Sequence, residues 1–171
     1  MHDGEHLKVN GSNVIIEGSD GKVLMIRGSY GYWMLPGGGI ERAELPVHAA
    51  MDEALEETNL LVAKEDLQLV ALMVQKVVHK GVTLPLSGLL TLYRCAKYAG
   101  ELFTKATQEV VEWRFMDLDE VLALYDKDPN SVRRSYLKLL IIHDNIRHGL
   151  LSAVYEGLMA DPVPLRPTRF I

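Results

Sequence analysis

The segment "LPGGGIERAELPVHAAMDEALEETNL", Leu35 to Leu60, constrains this chain more than any other. Three glycines behind a proline do not continue a helix, so Gly37, Gly38 and Gly39 read as a sharp turn or a close approach of bare backbone. Beyond them, Pro46 suits the first turn of a helix and Asn59 a left-handed C-terminal cap. Together they predict a helix from about Leu45 to Thr58.

At about 100° per residue, Glu53, Glu56 and Glu57 fall within one arc about 100° wide, with Asp52 at its edge. Val47, Ala50, Met51, Ala54, Leu55 and Thr58 take the other side, which is apolar and mostly small. Such a helix presses a thin face on a sheet and presents carboxylates opposite, with Glu57 at the boundary beside Ala50, where a carboxylate is expected to be partly desolvated. No Lys or Arg stands between Ala43 and Ala63 to oppose Glu44, Asp52, Glu53, Glu56 and Glu57. An acidic run is ordinarily a solvated face. Here, however, Glu53–Glu57 and Asp52–Glu56 are like-charge i,i+4 pairs, each costing a few tenths of a kcal/mol. A bound dication reverses that sign. Oxygen-only donors suit Mg²⁺ or Mn²⁺ better than zinc, and the glycines let a backbone carbonyl join them.

Around this segment, "SNVIIEG" and "KVLMIRG", parted by "SDGK", predict a β-hairpin. "LQLVALMVQKVVH" and "GLLTLYRCAKY" predict strands of a covered sheet, with "HKGVTLPLSG" as an exposed loop between them. "EVVEWRFMDL" reads as a further strand and "DLDEVLALYDKD" as a helix with an acidic first turn. From Ser131, "VRRSYLKLLIIHDNIRHG" and "LLSAVYEGLM" read as two helices parted at Gly149, ahead of the proline-rich "DPVPLRPTRFI". Val132, Tyr136, Leu139, Leu140 and His143 share a packing face. The expected plan is α/β: a sheet-and-helix domain over residues 1–126, then a helical extension over 127–171 packed on that domain or on a second subunit. A homodimer is one expected assembly.

A chain of 171 residues can bury one full core. A net charge of −5 without a Lys/Arg-rich block argues against a nucleic-acid polymer as partner. No apolar run reaches the length of a membrane span. "MHDGEHLKVNGS" carries no hydrophobic signal region, which points to the cytoplasm, and the single Cys95 reads as a buried, reduced thiol.

These residues resemble the signature of the Nudix hydrolase family. That signature runs Gly, five residues, Glu, seven residues, Arg-Glu, an aliphatic, one residue, Glu-Glu, one residue, Gly, an aliphatic. Gly38, Glu44, Asp52-Glu53, Ala54, Glu56-Glu57, Asn59 and Leu60 fit its frame without a gap. "WMLPGGGIERAE" upstream and "EVVEWRFMDLDEV" downstream resemble the family's entry and closing elements, so the likeness covers roughly residues 10 to 126. It implies an α/β/α sandwich with a mixed sheet, and a hydrolase cleaving the pyrophosphate of a nucleotide or nucleoside diphosphate derivative. Water would attack phosphorus with the help of Mg²⁺ or Mn²⁺. By position, Glu53, Glu56 and Glu57 would hold the metal, helped by the carbonyl of Gly37 or Gly38. Glu53 is also a candidate base, and Glu44 would orient the helix carboxylates. Glu109, with Glu112 second, is a further candidate base because some members use a glutamate ahead of the last strand.

The resemblance breaks at Asp52, where the family has an arginine that pairs with the glutamates. Three readings stay open. Asp52 recruits extra metal; Arg42, Arg114 or protonated His48 replaces the arginine; or the site is weakened and the domain binds a nucleotide for regulation. Asn59 in place of glycine keeps a residue tolerant of the left-handed cap. For substrate, Arg27 and Arg94 are candidate phosphate contacts. Tyr32, with Tyr30 and Trp33, is either a nucleobase platform or a brace for the glycine turn.

Overall fold

The computed structural model describes residues 10–79 and 82–148. In chain order the elements are strands β1 (Gly11–Ile16), β2 (Val23–Gly28), β3 (Trp33–Met34) and β4 (Gly37–Gly39), helix α1 (Pro46–Thr58), strands β5 (Gln68–His79), β6 (Val82–Cys95) and β7 (Val110–Met116), and helices α2 (Leu118–Lys127) and α3 (Arg134–Arg147). They form two compact units. No helix among the described residues is long and apolar enough to cross a membrane.

One unit takes the chain up to Ile16 together with Pro36–Thr104. Its sheet runs β4-β1-β6-β5. β1 pairs in parallel with β6, from Gly11↔Leu90 to Ile16↔Cys95, and antiparallel with β4; β5 and β6 are antiparallel. The sheet is therefore mixed. Every residue of β1 is buried, as expected of a strand covered on both faces. Helix α1 packs on β1 and β4 through Ala49, Ala50 and Ala54, small side chains that permit a close approach. The helix starts at Pro46, and Asn59 caps it at φ 64° with its N–H on the Leu55 carbonyl, as the sequence predicts.

The exposed loop expected at "HKGVTLPLSG" is mostly strand. β5 continues to His79 and β6 begins at Val82, with Val78↔Thr83 and His79↔Val82 in register. The glycine and proline suggested a break, but the β-branched Val82 and Thr83 extend the ladder. Lys80 lies outside the described residues.

The other unit takes Glu17–Leu35 together with Lys105 onward, and its antiparallel sheet runs β3-β2-β7. The predicted β1–β2 hairpin is not formed. The "SDGK" turn exists, closed by the Gly18 N–H on the Lys22 carbonyl at 2.8 Å and by a Glu17↔Val23 bridge. Beyond that bridge β1 and β2 join different sheets. Local turn chemistry fixed the reversal but not which strand each arm pairs with. Helix α2 opens on a capping box: the Asp117 side chain accepts the Glu120 N–H, and Glu120 accepts the Asp117 N–H. Helix α3 buries Leu139, Leu140 and His143, and Val132 ahead of it is also buried. His143 Nε2 lies 3.0 Å from Glu17 Oε1, and both residues are buried. The expected helix "LLSAVYEGLM" and the proline-rich tail lie outside the described residues.

Candidate functional site

The glycine strand and the acidic helix meet, and glycine is what allows it. Gly37 sits at φ 146°, a region that L side chains rarely adopt, and a Cβ there would overlap the Asn13 amide and the Ser12 carbonyl. With no side chain in the way, the Gly37 N–H donates to Glu57 Oε2 at 2.8 Å. Glu57 is only 5 % exposed, so this helix carboxylate is held against the strand backbone instead of in solvent. A Cβ on Gly38 would overlap the Glu53 carboxylate, which places Glu53 directly on the next residue of the same strand. Both register positions are fixed by β1, through Asn13↔Gly37 and Ser12↔Gly38. The start of α1 is tied to that strand as well: the Ser12 hydroxyl donates to the Pro46 carbonyl at 2.6 Å and accepts from Thr91 Oγ1 at 2.9 Å.

The other acidic residues of the segment are arranged differently. Glu56 and Asp52 are exposed on α1. Glu44 accepts the Glu41 N–H at 2.6 Å and so closes the turn between β4 and α1, where Ala43 takes φ 65°. Among the described residues no group of three or more His, Cys, Asp or Glu side chains is gathered closely enough to hold a metal ion. What is gathered is two carboxylates on two successive glycines. As donors, carboxylates and backbone carbonyls are hard oxygens, a set that fits Mg²⁺ or Mn²⁺.

Arg94 pairs in register with Ile15, so strand alternation places it on the sheet face opposite the one that Ser12 and Thr91 turn toward α1. There it lines a shallow depression with Glu65, Asp66, Gln68 and Lys97.

In the second unit, the Arg27 guanidinium pairs with Glu112 at 2.5 Å and lies 5.8 Å from the centre of the Trp33 ring. The candidate phosphate contact and the second candidate base therefore hold each other. Glu109 is exposed in the turn before β7, where its carbonyl accepts the Ser29 N–H at 2.9 Å. Arg114, one proposed stand-in for the family arginine, pairs with Glu120 at 3.2 Å. Trp33 is buried and braces β3; Tyr32 is half-buried and Tyr30 is open. Arg133, which the sequence did not single out, sits with its guanidinium 5.2 Å from the Tyr32 ring centre. No local pattern points to it. It arrives through the Trp33↔Val132 bridge, with the Trp33 N–H on the Ser131 carbonyl at 2.7 Å.

Comparisons with known proteins bear on this arrangement. The NUDIX domain family model matches residues 8–139. No curated protein matches the chain. Several solved structures share its fold. An Ap4A hydrolase from C. elegans, solved as a binary complex, aligns at 22% identity over 82% of this chain and 98% of its own, with a TM-score of 0.59. The E. coli ORF135 protein aligns at 21% identity over 82% and 91%, with a TM-score of 0.63. The NUDIX domain of Shewanella oneidensis NrtR, solved with ADP ribose, aligns at 14% over 82% and 88%, with a TM-score of 0.61. At such identities these neighbours establish the fold alone, which is the α/β, mixed-sheet Nudix fold expected from the sequence. The family match spans more than half of the chain and includes the glycine strand and the acidic helix, so the chain belongs to the Nudix family.

Proposed function

We propose that this chain is a cytoplasmic pyrophosphohydrolase that cleaves the phosphoric anhydride of a nucleotide or nucleoside diphosphate derivative by attack of water on phosphorus. The observation that carries the reading is the seating of Glu53 and Glu57 on Gly38 and Gly37, within the family's spacing. Glu53, Glu56 and Glu57, with a carbonyl of Gly37 or Gly38, would hold Mg²⁺ or Mn²⁺. When bound, that ion supplies charge neutralisation at the phosphate oxygens and a lowered pKa for the attacking water. The Gly37 N–H holds Glu57 Oε2 in place, and the carboxylate so held would contribute to binding the ion. Glu53 takes the proton of the water, with Glu109 the alternative base.

A second reading is a Nudix domain that binds a nucleotide with little turnover. Asp52 favours it, because the family's arginine is replaced by an exposed carboxylate.

A panel of nucleoside triphosphates and diphosphate derivatives, assayed with Mg²⁺ and with Mn²⁺, separates the two. Wild type is expected to release phosphate or a nucleoside monophosphate, and Glu53→Gln to lose about 10²–10⁴-fold in kcat while keeping its circular dichroism spectrum. Undiminished turnover by Glu53→Gln removes the enzymatic assignment of that residue. If wild type is slow on every compound and Asp52→Arg is faster, the binding-domain reading takes over.

A further inference from the structure

Helix α1 rests on its sheet through Ala49, Ala50 and Ala54, and such small apolar contacts are non-directional. They bring the helix close but do not fix where it sits along the strands. Directional bonds do, and one stands near each end. Toward the C-terminal end, Glu57 accepts the Gly37 N–H at 2.8 Å. At the start, the Ser12 hydroxyl donates to the Pro46 carbonyl at 2.6 Å. A carbonyl in the first turn of a helix has its own backbone donor four residues on, so Pro46 does not need this hydroxyl to be satisfied. Ser12 is nevertheless fully buried, and Thr91 beside it is 3% exposed. A carbonyl only accepts, so the Ser12 proton points to Pro46 and the Ser12 oxygen accepts from Thr91 Oγ1 at 2.9 Å. The relay runs one way, from β6 through β1 to α1.

We infer that Ser12 is a positioning residue for the acidic site, with Thr91 as its support. Ser12 reaches both halves of that site. Its backbone pairs in register with Gly38, on which the Glu53 carboxylate sits, and its hydroxyl holds the helix that carries Glu53. Anchored near both ends, α1 neither slides along the glycine strand nor pivots about Glu57. Glu53, between the two anchors, stays over Gly38. Packing alone would favour a valine at a buried strand position, since β-branched apolar side chains suit one better than serine. The hydroxyl is there for its bond. The inference rests on the proposed metal-binding role of Glu53 and Glu57 and adds what keeps them in place.

Two measurements on the full chain test it: hydrogen exchange at the Gly37 amide without metal, and Mn²⁺ affinity by water-proton relaxation. Ser12→Ala is expected to speed Gly37 exchange about tenfold or more, while the amides of the β1–β6 ladder keep their protection. It should also weaken Mn²⁺ binding at least about fivefold. Thr91→Val, which puts a methyl in place of the hydroxyl, should move both readouts the same way by less. Thr91→Ser, which keeps the hydroxyl, should match wild type in both. If Ser12→Ala does not fold, the Thr91 pair decides. Ile15→Val is the control, because strand alternation turns that buried side chain to the face away from Ser12. It should lower the melting temperature and leave both readouts alone. Gly37 exchange indifferent to Ser12→Ala, Thr91→Ser behaving like Thr91→Val, or Ile15→Val reproducing the Ser12→Ala effects overturns the inference. Should wild type take up no Mn²⁺, the metal reading fails and Gly37 exchange still decides the role of Ser12. Equal Mn²⁺ affinity in wild type and Ser12→Ala discards the positioning role alone.

Discussion

Gly38 and Glu53 show how much one missing Cβ can decide. The family spacing identified both residues, but only the structure reveals that the carboxylate occupies the space a side chain on Gly38 would need. Gly38→Ala should therefore push the Glu53 carboxylate aside. The carboxylate is the mobile end of its side chain, so the cost in stability is small, about 1 kcal/mol, or roughly 2–4 °C in Tm. The cost in turnover should be at least about tenfold, since the proposed base loses its position. Kinetics alongside a thermal melt check this: unchanged kcat would show that the contact is incidental. The buried placement of Glu57 was legible too, because its position on the helix lies beside Ala50. The pairing of Arg27 with Glu112 was not legible, since cross-strand register is set by two segments far apart in the chain.

At the scale of elements, the helices were read closely from sequence because their signals are local: a proline at the start of α1, an asparagine at its end, and acidic residues opening α2. Strands were found, but their partners were not always found, as β1 and β2 show. The entry to α2 makes a measurable prediction. The Lys22 ammonium, hydrogen-bonded at 2.8 Å, and then the Asp117 N–H hold the Glu120 carboxyl below the usual carboxylate range. A folded-state pKa below the unfolded one means that the unfolded chain binds more protons in acid. Glu120 therefore contributes stability at neutral pH, and that contribution fades as pH falls through its lowered pKa. The Tm difference between wild type and Glu120→Gln should shrink toward zero as the solution is acidified below about pH 4. A difference that stays constant across that range would contradict the ion pair's role.

For the molecule as a whole, membership in the family was readable from fewer than thirty residues, and the family match then extends over 8–139. Fold follows from that match; substrate does not, because one fold hosts many chemistries and neighbours of 14–22% identity carry no more than architecture. What is particular to this chain is a helix with four acidic side chains and no arginine among them, set against a glycine strand. That pairing of helix and strand, we hold, exists to grip a hard dication. Mn²⁺ titration followed by water-proton relaxation, on wild type and on Glu57→Gln, measures that directly. Saturable uptake by wild type and a large loss in Glu57→Gln, with the fold intact, is the predicted result; equal uptake by both, or none by wild type, would contradict it.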